Sequence, residues 1–196
     1  MQKLNTARDL QTRLSVVLQT VEQEFATLND EQLRWKPAPD RWSIVECLQH
    51  LNLAERFYIR NIQHKVDKIG LVQTNPADQT IESDWIGKAM LFAVDPQVKI
   101  KLPAPGMIRP RPAAQLAPAD VIGQFLDLQT LLRSLLDKAV YLDWNRDKVM
   151  TLFGNWPGLD WLKIRLGDAF RMLIAHTERH MKQAMRVKTE MGTFAS

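Results

Sequence analysis

The stretch that most limits the fold begins at Leu162. From there Leu166, Ala169, Leu173, His176, His180, Gln183 and Val187 follow at alternating spacings of four and three residues. An α-helix completes a turn in 3.6 residues, so this spacing keeps every one of these side chains on one face. It predicts a long helix over residues 160–188 whose inner line is apolar except near His176, His180 and Gln183. Such a face has to be buried against other helices, and the two imidazoles are carried inward with it.

Three further stretches carry the same signature. Residues 3–28 place Leu10, Leu14, Val17, Val21 and Leu28 on a near-heptad line. Asn29, with Gln32 three residues on, forms a capping box for a short turn through Leu33. Pro37 and Pro39 then impose an extended connector, and Trp35 and Trp42 on either side of it are expected to fold back onto the bundle. Ser43 and Glu46 make a second capping box, with Trp42 and Cys47 placed as its hydrophobic staple. The helix it opens reaches to about Lys68 and is stopped by Gly70. Its apolar residues include Ile44, Cys47, Leu51, Ala54, Phe57, Tyr58 and Ile62, and His50 lies at the edge of that arc. Pro118 suits a first helical position. From it Val121, Phe125, Leu128, Leu132, Leu135 and Ala139 form a seam ending near Tyr141. Gly154, Pro157 and Gly158 break residues 143–158 into a connector.

Four long amphipathic helices predict an all-α four-helix bundle, one domain across residues 1–196. The connector at 70–116 is irregular and rich in proline, with a helical turn or two at 86–92 and a short extended stretch at 99–102. It is long enough to travel the length of the bundle, so the second and third helices can run parallel. Connections of this length are usually functional or disordered, and this one is expected to form part of a lid or a dimer contact.

Composition narrows the function classes. Apolar residues make up 45% and charged residues 24%, as in globular proteins, and no apolar run reaches the length of a membrane span. The first residues lack the pattern of a signal peptide. The single cysteine, Cys47, forbids an internal disulfide and fits a cytoplasmic location. It reads as a small buried hydrophobe rather than a nucleophile. The net charge of +4 is spread among acids rather than gathered on one face, which argues against nucleic acid as a partner.

A bundle interior penalises polar groups without partners. His176 and His180 on the seam, with His50 directed inward from another helix, are explained in either of two ways. They hydrogen-bond to one another and to Gln183, or they bind a metal. Three neutral imidazoles around one divalent ion leave positions open for water or substrate, a catalytic rather than a structural arrangement. Zn or Ni suits such donors best. The proposal requires the second and fourth helices to be antiparallel, so that the three residues meet at one depth. His64 lies 14 residues beyond His50, about 21 Å along a helix axis, and cannot join them. Glu46 and Gln183, each one turn from a histidine, are candidates to orient a ligand. Asp168, Arg165, Tyr58 and Trp161 read as structural or core residues. Neither a Ser-His-Asp order nor a phosphate loop is present.

The combination Trp35-x-Pro-x-Pro-x-x-Trp42-Ser43-x-x-Glu46-x-x-x-His50-Leu51 with His176-x-x-x-His180-x-x-Gln183 resembles the DinB/YfiT-like superfamily, as does Leu152-Phe153-Gly154. The resemblance covers nearly the whole chain. It implies an up-down-down-up bundle, often a homodimer, with a metal held at positions matching His50, His176 and His180. Relatives that are transferases or isomerases use low-molecular-weight thiols such as bacillithiol or mycothiol. A metal-dependent thiol S-transferase or hydrolase type of enzyme, with a small-molecule substrate, is thus one implied function. A non-catalytic, stress-related module that binds metal or a small ligand is the other. The family name comes from DNA-damage induction and implies no DNA binding. The long 70–116 connector departs from a minimal member.

Overall fold

Asn29 and Ser43 each start a helix by the same device. The Asn29 side chain accepts from Gln32 N (2.9 Å) while the Gln32 side chain accepts from Asn29 N (3.0 Å). Ser43 and Glu46 repeat the exchange at 3.3 and 2.8 Å, satisfying backbone N–H groups that have no helical partner. The computed structural model of the chain describes residues 1–68, 77–98 and 104–194. Its helices are α1 (Lys3–Thr20), α2 (Asp30–Arg34), α3 (Ile44–Asp67), α4 (Trp85–Val94), α5 (Pro118–Ala139) and α6 (Leu166–Phe194). A π-helical turn, Val21–Phe25, extends α1. The stop expected at Gly70 and the extended stretch at 99–102 lie outside the described residues.

Side-chain pairs along the long helices fix their directions. Asn52 donates to the Val121 carbonyl and Gln129 to Glu55, so α3 and α5 ascend together. Arg41 pairs with Glu190 and Thr177 with Glu55, so α3 and α6 are antiparallel. Arg13 meets Glu178 and Lys188 meets Glu24, so α1 runs with α6. Lys3 reaches the Leu142 carbonyl and Gln11 reaches Asp137, so α1 opposes α5. This is the up-down-down-up arrangement. Helix α4, in the link between α3 and α5, packs on α6. Asp84 caps it at Gly87 N (2.9 Å), and Ser83 donates to Asp168 of α6 at 2.6 Å.

Two departures from the sequence reading concern the segment before α6. Helix α6 begins at Leu166 rather than near residue 160, and it continues beyond Lys188. Residues ahead of it form a hairpin, with β1 (Lys148–Met150) antiparallel to β2 (Lys163–Arg165). Val149 and Ile164 are opposite each other in register, and both are buried. Apolar residues at 162, 164 and 166 alternate as well as they fit a helix, and the pairing of β1 decides between the two. Gly158, at φ +79°, makes the reversal. The hairpin leaves Trp161 54% exposed, against Trp85 at 6.4 Å, so it is not a core residue. Tyr58 is buried, as expected, and its hydroxyl accepts from Leu152 N.

The core falls into two apolar clusters. One gathers Leu10, Leu14, Ile59, Ile62, Trp144 and Phe170. The other gathers Phe25, Ile44, Leu48, Phe125, Met181 and Ala184, with Trp35, Trp42 and Cys47 packed in it. Between them in sequence order along α3 and α6 lie Asn52, Glu55, His176, Thr177 and His180, while His50 sits between Leu48 and Leu51 of the second cluster. Among the described residues no helix is long and apolar enough to cross a membrane.

Candidate metal centre

The capping box at Ser43 fixes the start of α3, and His50 follows two turns later. Because α3 and α6 are antiparallel, His50 meets His176 and His180 at one depth. The geometric condition set by the sequence is satisfied. One ring nitrogen from each of the three lies within 4.8 Å of the others. The ring centroids are 4.6 to 5.2 Å apart. Such a set is suited to a single divalent cation.

The outer nitrogens show how each ring is held. His50 Nδ1 is 2.7 Å from the Ile108 carbonyl, which can only accept, so this nitrogen carries the proton. The Nε2 lone pair of His50 therefore faces inward. It meets His176 Nε2 at 3.3 Å. Two lone pairs at that distance repel, and one shared proton or one cation between them resolves the conflict. His180 Nδ1 is 3.0 Å from Gln183 Oε1, so Gln183 does orient a candidate ligand. His176 Nδ1 faces Glu55 Oε1 at 4.0 Å.

Burial keeps the rings neutral. Desolvation lowers the pKa of all three, with His180 pushed down to about 3. Neutral imidazole is the form that binds a metal. Trp42 closes one side, with its ring centroid 4.9 Å from that of His50 and 5.8 Å from that of His180. The Ile108 carbonyl belongs to the long connector, so that segment covers His50 directly. It is anchored there by Arg111 N donating to Gln49 (2.6 Å) and Ala113 N donating to Glu46 (3.2 Å).

Glu46 does not orient a histidine. One carboxylate oxygen caps Ser43 and the other receives Ala113 N and lies 3.5 Å from Lys36, tying the helix start to the connector. His64 lines a shallow surface cleft of about 390 Å³ with Leu53, Arg56 and Phe57, apart from the three. Burial pushes the Cys47 thiol well up, so it stays protonated and is no nucleophile. Asp168, bonded to Ser83 and Arg171, is structural.

Sequence reasoning passed over Glu55. It is fully buried, accepts from Thr177 Oγ1 (2.6 Å) and Gln129 Nε2 (2.5 Å), and burial pushes its carboxyl up to about 7. The signal was available. Leu48, Leu51, Glu55, Tyr58 and Ile62 step by three and four, so Glu55 occupies the same kind of seam position as the histidines.

These features define a class: an up-down-down-up helical bundle with three inward histidines from its second and fourth long helices. The chain matches the DinB superfamily over residues 13–184, and it belongs to that family. No curated protein matches it in sequence. In fold it is similar to YfiT from Bacillus subtilis, described as a probable metal-dependent hydrolase with an unusual four-helix bundle topology. The TM-score is 0.55 at 14% identity, over 95% of this chain and 87% of that one. At this identity the likeness is one of fold.

Proposed function

We propose that His50, His176 and His180 hold one divalent ion, Zn or Ni, and that the chain is a metal-dependent enzyme of the hydrolase or thiol S-transferase type. The observation that carries the reading is the orientation of the rings. Three inner nitrogens converge while each outer nitrogen faces an oxygen: the Ile108 carbonyl, the Glu55 carboxylate and the Gln183 amide. Packing alone does not call for that pattern. A divalent ion there would supply Lewis acidity to activate a water or a thiol near neutral pH. The protein's part is to keep the imidazoles neutral by burial, to fix His50 through the Ile108 carbonyl and His180 through Gln183, and to exclude water on the Trp42 side.

A small-molecule substrate, a low-molecular-weight thiol as co-substrate, a cytoplasmic location and a homodimeric state belong to the same proposal. The substrate, the thiol and the dimer rest on the resemblance, and the location rests on the single cysteine.

The test has two arms. Protein purified without a histidine tag or chelator should contain about one metal per chain. His50→Ala, His176→Ala and His180→Ala should each reduce it, and His64→Ala should leave it unchanged. A panel of thiols with a chromogenic electrophile should show turnover that chelator removes. Stoichiometric metal without turnover of any thiol or ester would assign the chain instead to the non-catalytic binding modules.

A further inference from the structure

We propose that Glu55 is the positioning residue for His176, setting the proton on Nδ1 so that Nε2 is free for the ion. The inference rests on the metal reading above.

His50 and His180 have neutral oxygen partners at hydrogen-bond distance. His176 has a carboxylate instead, and it is set back at 4.0 Å. In the absence of an ion, the 3.3 Å contact between His50 Nε2 and His176 Nε2 is a hydrogen bond only if His176 carries its proton on Nε2, because the Ile108 carbonyl has already committed the His50 proton to Nδ1. A cation bound at His176 Nε2 forces the other tautomer. The proton must then sit on Nδ1, the nitrogen that faces Glu55 Oε1. Closing the gap to hydrogen-bond length takes a shift of about 1 Å. The carboxylate is thus in place for the tautomer that metal binding demands, an arrangement that orients the ring and raises its basicity.

The surroundings of Glu55 hold it ready for this. Thr177 follows His176 in the chain, and its hydroxyl lies 2.6 Å from the same Oε1 that faces the imidazole. Gln129 on α5 holds Oε2 at 2.5 Å. The side chain is therefore gripped from two other helices and cannot swing away. A fully buried carboxylate is costly to a fold, and an apolar or amide side chain of similar volume would fill this position at lower cost. Its presence beside a candidate ligand is what a positioning role explains.

The experiment uses Zn²⁺ and Co²⁺ as probes on the full chain. Competition with a chromophoric chelator should show that Glu55→Gln weakens zinc binding by about 10- to 100-fold. Thermal unfolding of the metal-free variant should show a midpoint equal to or above wild type. Loss of affinity without loss of stability is not a signature of a merely structural residue. The d–d absorption of the Co²⁺ form should change in Glu55→Gln and return toward wild type in Glu55→Asp. In a His176→Ala background, Glu55→Gln should have no further effect on residual zinc affinity, since the path through the ring is gone. Zinc affinity within twofold of wild type in Glu55→Gln, or an equal loss in the His176→Ala background, overturns the proposal and leaves the metal site standing. Wild-type protein that binds neither ion overturns both. Should Glu55→Gln fail to fold, Glu55→Met, which also removes the carboxylate at similar volume, decides by the same two measurements.

Discussion

Thr177 Oγ1 lies 2.6 Å from Glu55 Oε1 and 2.9 Å from the carbonyl of Leu173, and it has a single proton for the two acceptors. The hydroxyl is buried where α3 and α6 touch. Thr177→Val keeps the shape and removes the group, leaving a buried carboxyl oxygen short of a partner. The metal-free protein should lose about 1–3 kcal/mol in urea unfolding. A loss below about 0.5 kcal/mol would mean that Glu55 finds another donor.

Acid should destabilise the metal-free protein, and the sign follows from the buried groups. His50, His176 and His180 have folded pKa values below the unfolded 6.5. Their contribution is complete above pH 6.5 and is lost as pH falls toward about 3, the folded value for His180. Glu55 acts oppositely: raised from 4.5 to about 7, its contribution is present below 4.5 and lost as pH rises through 7. Between these limits three histidines oppose one carboxyl. Stability should therefore rise with pH from 4.5 to 6.5, each proton contributing up to about 1.4 kcal/mol per pH unit. Urea midpoints across that range check the slope. A midpoint that climbs on acidification would contradict the neutral-imidazole assignment.

Gly87 should tolerate no side chain. A Cβ there would lie 2.1 Å from Asp168 Oδ2, the buried carboxylate oxygen against which α4 rests. Gly87→Ala should destabilise by about 1–3 kcal/mol through overpacking. Combined with Asp168→Ala, the two effects should add to less than their sum, since the second change removes the atom that the first collides with. Strict additivity in chemical denaturation would show that α4 does not dock by this contact.

Zinc should raise the thermal midpoint of the wild-type protein. At a free concentration 100 times Kd, binding adds about 2.7 kcal/mol, which corresponds to about 5–10 °C for a chain of this size. His64→Ala should show the same rise and His180→Ala none. A rise that survives His180→Ala would place the ion elsewhere.

The long helices and the inward placement of the three histidines were legible because each leaves a periodic trace, while the order of helix directions came from the family resemblance. The capping boxes at Asn29 and Ser43 mark starts to the residue, and the seam through His176 and His180 marks a buried face. The long connector made parallel second and third helices possible, and Asn52–Val121 and Glu55–Gln129 show them parallel. The hairpin was not legible because Ile164 and its neighbours satisfy two periods at once. Only pairing with Val149, fifteen residues earlier, breaks the tie. Glu55 and Gln129 carry no local mark of burial. Both stand on apolar seams, but a lone acid or amide on a helix is commonly solvated, and only contact between α3, α5 and α6 shows that these two are not. Trp161 had no local signal either, since its exposure depends on where the hairpin turns.

The antiparallel pairing of α3 and α6 also sets when the site can exist. His50 and His176 are 126 residues apart, so at translation rates of about 5–20 residues per second the first donor is made roughly 6–25 s before the second. Until α6 is made, a cation has one imidazole of the three to hold it. An ion retained by all of them would thus be a chemical record that the bundle has closed, and a chain cut short before α6 would lack two of the three donors.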